Sequence, residues 1–210
     1  MARPRKDQQI DIPARAVEET MRQLDTREAG AITLAQVAAA VGCRAPALYA
    51  YFAGREALLR AVHDAGFRLL LEEKLAVAAR HADAPLDRLR EGGLAYLRFA
   101  AEHPGLYRLM FSPPAAADLP DDPFATDAGA GCLAMLERAI TACQAEGYLP
   151  GRQAAQVAFT LWSAVHGAAS LVLQGRAPVP AGQDAMAAAA GVVDDLMDFI
   201  RRSRPAPDQP

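Results

Sequence analysis

Asparagine is absent from this chain, and lysine is far outnumbered by arginine, the skew of a GC-rich coding genome. Three cysteines, Cys43, Cys132 and Cys143, are too few and too scattered for a disulfide framework. On one helix Cys132 and Cys143 would share a face but sit roughly 16 Å apart, beyond bonding reach. Buried free thiols are expected, with a redox sensor as the alternative. No window reaches 18 apolar residues without a charge, so no membrane-spanning helix is expected. The basic start "MARPRKDQQID" is followed by no apolar stretch, so it is not a secretory signal, and a cytoplasmic protein is expected.

Catalytic and metal-binding constellations are missing too. His63, His81, His103 and His166 do not cluster with cysteines at ligand spacing. Ser163 and His166 are close on one helix, yet no carboxylate orients the histidine and no glycine-rich elbow presents the serine. No glycine motif cradles a phosphate. The expectation is a non-enzyme without metal or cofactor.

What is present is helix. Alanine and leucine are frequent, β-branched runs are absent, and apolar residues recur at intervals of three and four. Residues 10–27 open with Asp11 as N-cap and Pro13 in the first turn, with Ala14, Val17, Met21 and Leu24 as the apolar stripe. A long helix is expected over 55–80, others from Pro85 and behind Pro104, another over 124–146, and two more over 152–174 and 182–202. The segment "SPPAAADLPDDP", residues 112–123, reads as a loop, with a role as a gate suggested by its composition. Charge is uneven. Residues 1–60 hold nine Arg/Lys against seven Asp/Glu, and the rest hold thirteen against eighteen, a mildly basic head on an acidic body.

Residues 33–59, "TLAQVAAAVGCRAPALYAYFAGREALL", form two short helices about a glycine turn, the spacing of a helix-turn-helix. Thr33 suits an N-cap and can offer its hydroxyl to a phosphate. Val37, Ala38 and Val41 face inward, Gly42 permits the turn, and Pro46 fits only a helix's first turn.

These residues resemble the DNA-binding head of the TetR family of bacterial repressors. The likeness rests on Thr33, Val37, Ala38, Gly42, "ALYAYF" at 47–52 and "GREALL" at 54–59. It implies an all-α fold: a basic arm over 1–9, a three-helix head over 10–67, a ligand-binding and dimerisation domain over 68–203, and a tail over 204–210. It implies phosphate contacts from Thr33, Tyr49, Tyr51 and Arg55, and base contacts from Arg44, Ala45 and Ala47. The arm's Arg3, Arg5 and Lys6 would reach a neighbouring groove. Arg44 stands where the family often has a serine that caps the second helix, and an arginine cannot cap in that way.

In the body, "LWSAVHGAASL" at 161–171 resembles the Trp-His-Gly signature of one C-terminal subgroup, and "EHPGLYRLMF" at 102–111 resembles another stretch of it. Trp162 and His166, four apart, share a helical face. One reading makes them wall and polar anchor of a ligand pocket with Tyr96, Phe99, Tyr107, Met110, Phe111 and Phe159; the other makes them core, with His166 bonded to a carbonyl or across a dimer. The resemblance implies a homodimer through the last two helices on a pseudo-palindromic double-stranded operator, released by a largely apolar small molecule. A DNA-bound protein without such an inducer, governed by a protein partner or acting architecturally, is the alternative.

Overall fold

The computed structural model describes residues 11–112 and 119–205. The arm residues Arg3, Arg5 and Lys6, the loop centre at 113–118 and the tail at 206–210 lie outside the described residues. Nine α-helices and a 3₁₀ turn are present among the described residues, with no strand. They are α1 (Ile12–Leu24), the turn Ala29–Ala31, α2 (Leu34–Ala40), α3 (Ala45–Tyr49), α4 (Arg55–Arg80), α5 (Pro85–Glu102), α6 (Pro104–Phe111), α7 (Asp127–Ala145), α8 (Ala154–Leu173) and α9 (Ala185–Arg202). The chain forms two compact units: one from Met1–Gly66 with Gly105–Pro123, the other from Phe67–Pro104 with Phe124–Pro210.

In the first unit α1, α2 and α3 pack on one another. Asp11 caps α1, its carboxylate accepting from the Ala14 amide at 3.1 Å. The buried stripe of α1 differs from the expected one. It is Ala16, Thr20 and Leu24, while Ala14 is exposed and Val17 and Met21 are half-buried. A buried threonine is tolerated because its hydroxyl donates to the Ala16 carbonyl one turn back, at 2.7 Å. α6 packs close to α1. A Cβ on Gly105 would run into the Leu24 carbonyl, so only glycine fits there.

In the second unit α5 packs against α7, α8 and α9, α7 against α8, and α8 against α9. Thr126 caps α7 and Asp184 caps α9, each through its side chain. Arg90 of α5 pairs with Asp194 of α9 at 2.7 Å. The C-terminal end is tied down by Ser203, whose Oγ accepts from the Leu149 amide at 2.8 Å. Cys132 and Cys143 are buried and Cys43 is half-buried; burial pushes the Cys132 and Cys143 thiols up to about 11, which leaves them protonated and inert at neutral pH.

α8 departs from expectation. Residues 153–175 carry no Asp, Glu, Lys or Arg, and α8 is long and apolar enough by length and composition to cross a bilayer, with a mean hydropathy of 1.3. Gln156, Thr160, Ser163, His166 and Ser170 interrupt the apolar run, which is why a count of strictly apolar residues passes over it. Only 22% of that span is buried within the chain. Phe159 and Leu171 of α8 and Phe199 of α9 are 60%, 44% and 65% exposed. Isolated apolar residues on a surface need no explanation, but these three fall on two helices that pack together.

Two outcomes test this packing. Gly105→Ala should destabilise the protein by about 2 kcal/mol or more in chemical denaturation, because the Leu24 backbone must shift. Gly30→Ala, which meets open space, should stay within about 0.5 kcal/mol of the parent. His63 of α4 supplies the second. Burial holds its imidazole below the ordinary range, against an opposing hydrogen bond with Asp64 at 3.1 Å. His166 is displaced the same way, by burial alone. Above about pH 6.5 both rings are neutral in folded and unfolded chains. As pH falls through the folded values the unfolded chain takes up protons first, so stability is lost. The melting temperature should fall as pH drops below about 6.5, and His63→Gln should flatten that slope.

Candidate functional site

The first candidate site lies on α2, α3 and the turn between them. α2 starts with a full capping box: the Thr33 hydroxyl accepts from the Gln36 amide at 3.3 Å, and the Gln36 side chain accepts from the Thr33 amide at 3.2 Å. Thr33 thereby keeps its own O–H outward and exposed. α2 ends in a Schellman closure. The Gly42 amide donates to Ala39 at 3.2 Å and the Cys43 amide to Ala38 at 2.9 Å, with Gly42 at φ +77°. Pro46 sits in the first turn of α3.

α3 is amphipathic over five residues. Leu48 is fully buried and Phe52, just beyond the helix, is buried, and these fix the roll of α3 about its axis. Tyr49 and Tyr51 are 58% and 56% exposed. Neither hydroxyl bonds any described residue. Arg44 occupies the N-cap position of α3 without a side-chain cap bond, and its exposed guanidinium makes no hydrogen bond or ion pair with any described residue. Ala45 and Ala47 are half-buried beside it.

Arg55 is differently placed. Its Nη1 donates to the Gly30 carbonyl at 3.0 Å and its Nη2 to Glu56 at 2.8 Å, so the side chain ties the start of α4 to the turn before α2. The pairing with Arg55, after the backbone hydrogen bond at the start of α4, holds the Glu56 carboxyl below its ordinary range. About a third of the Arg55 side chain remains exposed, at 37%. A structural tie was not foreseen for this residue, because the Gly30 carbonyl lies 25 residues away in sequence.

The second candidate site is an apolar cavity of about 100 Å³ inside the second unit. Its walls come from five helices and the turn before α7, and include Leu70, Tyr96, Phe124, Leu136, Trp162 and Met197. Of the residues singled out by sequence, Tyr96 and Trp162 line it. His166 stands behind them: its Nδ1 is 2.9 Å from the Tyr96 hydroxyl, and its ring centroid is 5.0 Å from that of Trp162. The Trp162 indole donates to the same tyrosine oxygen at 3.4 Å, and His166 Nε2 lies 3.4 Å from Ser170 Oγ. The imidazole thus meets the Tyr96 and Ser170 hydroxyls. Burial keeps it below the ordinary histidine range, which suits a neutral ring.

The other candidates stand elsewhere. Phe99 is buried against His103, with ring centroids 5.3 Å apart. Tyr107, Met110 and Phe111 belong to the first unit, where the tilted rings of Tyr107 and Phe111 meet with centroids 5.0 Å apart. Phe159 is exposed, its ring 6.3 Å from that of Trp162. Apolar identity in a sequence does not say which void a side chain faces. Sequence reasoning also passed over Lys74, which lines the cavity from α4. A lone lysine on a long helix reads as solvated until the fold places it.

Comparison with known proteins follows this division. Residues 16–62 match the family model described as "Bacterial regulatory proteins, tetR family", and residues 89–196 match "Tetracyclin repressor-like, C-terminal domain". No curated protein matches. Among solved structures the chain is similar to a Rhodococcus sp. RHA1 protein of unknown function (TM-score 0.75, 22% identity, covering 97% of this chain and 100% of that one). It is similar to a tetR-family regulatory protein from Rhodococcus RHA1 (TM-score 0.64, 22% identity, 94% and 99% covered). A third likeness is to a TetR/AcrR-family transcriptional regulator from Thermobifida fusca YX-ER1 (TM-score 0.67, 18% identity, 90% and 97% covered). With its helix-turn-helix and its C-terminal helical unit both matched, the chain belongs to the TetR family of DNA-binding transcriptional regulators.

Proposed function

We propose that the protein is a dimeric, cytoplasmic repressor that leaves its operator when a small molecule fills the cavity beside Trp162. The observation that carries the DNA reading is the exposed set of Arg44, Tyr49 and Tyr51, whose polar ends bond no described residue, beside the exposed Thr33 hydroxyl that caps α2. Laid in a major groove, α3 would present Arg44 and the methyls of Ala45 and Ala47 to base edges. The tyrosine and threonine hydroxyls, with the exposed part of Arg55, would meet phosphates and set the register. Arg3, Arg5 and Lys6 would add a sequence-independent attraction from the arm.

The exposed apolar residues of α8 and α9 support pairing with a second copy, two helices from each making a four-helix interface. A twofold dimer sets two copies of α3 about 34–36 Å apart, one DNA turn, and calls for a pseudo-palindromic operator. The cavity supports an effector. Ligand sites are mostly apolar with few polar groups, and this one matches that description. Release needs only that the ligand favour the form that does not bind DNA, with a coupling of about 1–3 kcal/mol.

Selection of bound sites from random DNA tests the first half. A two-half-site sequence should emerge, and Arg44→Ala should relax preference at one base pair per half-site by about 1–3 kcal/mol. Equal weakening on all sequences would make Arg44 a phosphate contact. The interface has its own test. Phe159→Glu combined with Phe199→Glu should sediment as a folded monomer and lose most operator affinity; an unchanged dimer would place the interface elsewhere. A metabolite panel read by the emission of Trp162, the sole tryptophan, tests the effector. If nothing in the panel moves both emission and operator affinity, control by a protein partner takes its place.

A further inference from the structure

The cavity holds a charge that its walls do not balance. Among the described residues that line it, Lys74 and Arg88 are cationic and none is a carboxylate. Arg88 is spent on backbone, donating to the carbonyls of His81, at 3.0 Å, and Ala82. Lys74 has one acceptor, the Gly92 carbonyl, and its ammonium stands 5.4 Å from the centre of the Tyr96 ring. It forms no salt bridge with any described residue. Its neighbour on α4, Glu73, attracts it without forming a salt bridge, and the Glu73 carboxyl is itself raised by burial and by the nearby charge of Glu102. Lys74 and Lys6 are the only lysines in a chain with twenty arginines.

An ammonium among apolar walls is disfavoured unless something of opposite charge accompanies it. Burial pushes the Lys74 pKa down to about 8, so the group still carries its charge at neutral pH. One carbonyl leaves two of its three N–H donors available. A compact, rotatable ammonium suits a single acid head, where an arginine fork would call for a planar, two-toothed partner.

We propose that the cavity receives an amphipathic carboxylate, with the acid head paired to Lys74 and the hydrocarbon body lying against Leu70, Leu136, Phe124 and Trp162. This deepens the effector reading and rests on it for the link to DNA, though not for binding itself. Pairing would restore the lysine's charge balance inside the protein, while Trp162 would report the arrival of the apolar body. Because Lys74 sits on α4, the same helix that begins with Arg55, the acid head would act directly on the element that leaves the DNA-reading unit.

The full-length protein can be titrated at neutral pH with octanoate, octan-1-ol and octylamine, following Trp162 emission, with operator affinity measured alongside. Octanoate should bind at least about tenfold more tightly than the alcohol, and the amine more weakly than either. Lys74→Met should bring octanoate down to the level of the alcohol, leave the alcohol unchanged, and melt no lower than the parent because it removes an unbalanced charge. A second measurement needs no variant. Acetylation of Lys74, read by mass spectrometry, should be slowed by octanoate and not by octanol. Equal affinity for acid and alcohol, an acid preference that survives Lys74→Met, or failure of both to bind would overturn the proposal. Octanoate held through Lys74 without any change in operator affinity would keep the carboxylate site and remove the effector reading. Operator release by octanol alone would do the reverse.

Discussion

The paired hydrogen bonds that close α2, from Gly42 to Ala39 and from Cys43 to Ala38, are the constraint on which the DNA-reading unit depends. They stop α2 after seven residues and turn the chain at once into α3, whose own five residues are too few to be stable alone. α3 holds its place because Leu48 and Phe52 are buried against its neighbours. The exposed side chains of α3 inherit their positions from that burial. The exposed tyrosines are therefore precise without being bonded: the helix axis is set by the turn and its roll by the core.

The second unit uses the opposite economy. Its helices bury aromatic and aliphatic side chains to make a cavity, and from its wall at Tyr96 and Trp162 a polar network runs back through His166 to Ser170. Such a chain is worth most when complete, and it stiffens the wall in which it sits. Lys74 stands outside that chain. The unit thus contrasts a polar network that is closed with a cation that is not. In a low-dielectric interior the open position is the place where a ligand can gain most.

Much of this was legible in the residues themselves. Thr33, Gly42 and Pro46 each have one physical use at their position, and together they locate both short helices and the turn. Asp11 announced the start of α1 in the same way. The stripe of α1 was not legible, because pattern reading favours Ala14 over Thr20, and only a helix carbonyl one turn back makes a buried threonine acceptable. The cavity was half legible. Tyr96 and Trp162 line it, yet Tyr107, Met110 and Phe111 belong to the other unit, a division set by which helices pack together and not by composition. The apolar character of α8 was obscured by its scattered polar residues. Lys74 was invisible for a plainer reason: its meaning lies entirely in what is missing around it.

Arg55 carries one more consequence. By gripping the Gly30 carbonyl it fastens the first residue of α4 to the loop that leads into α2. Mechanically this is a splint across a joint. The tie bridges Gly54, so the start of α4 and the loop before α2 hold together across the glycine where the chain would otherwise bend most easily.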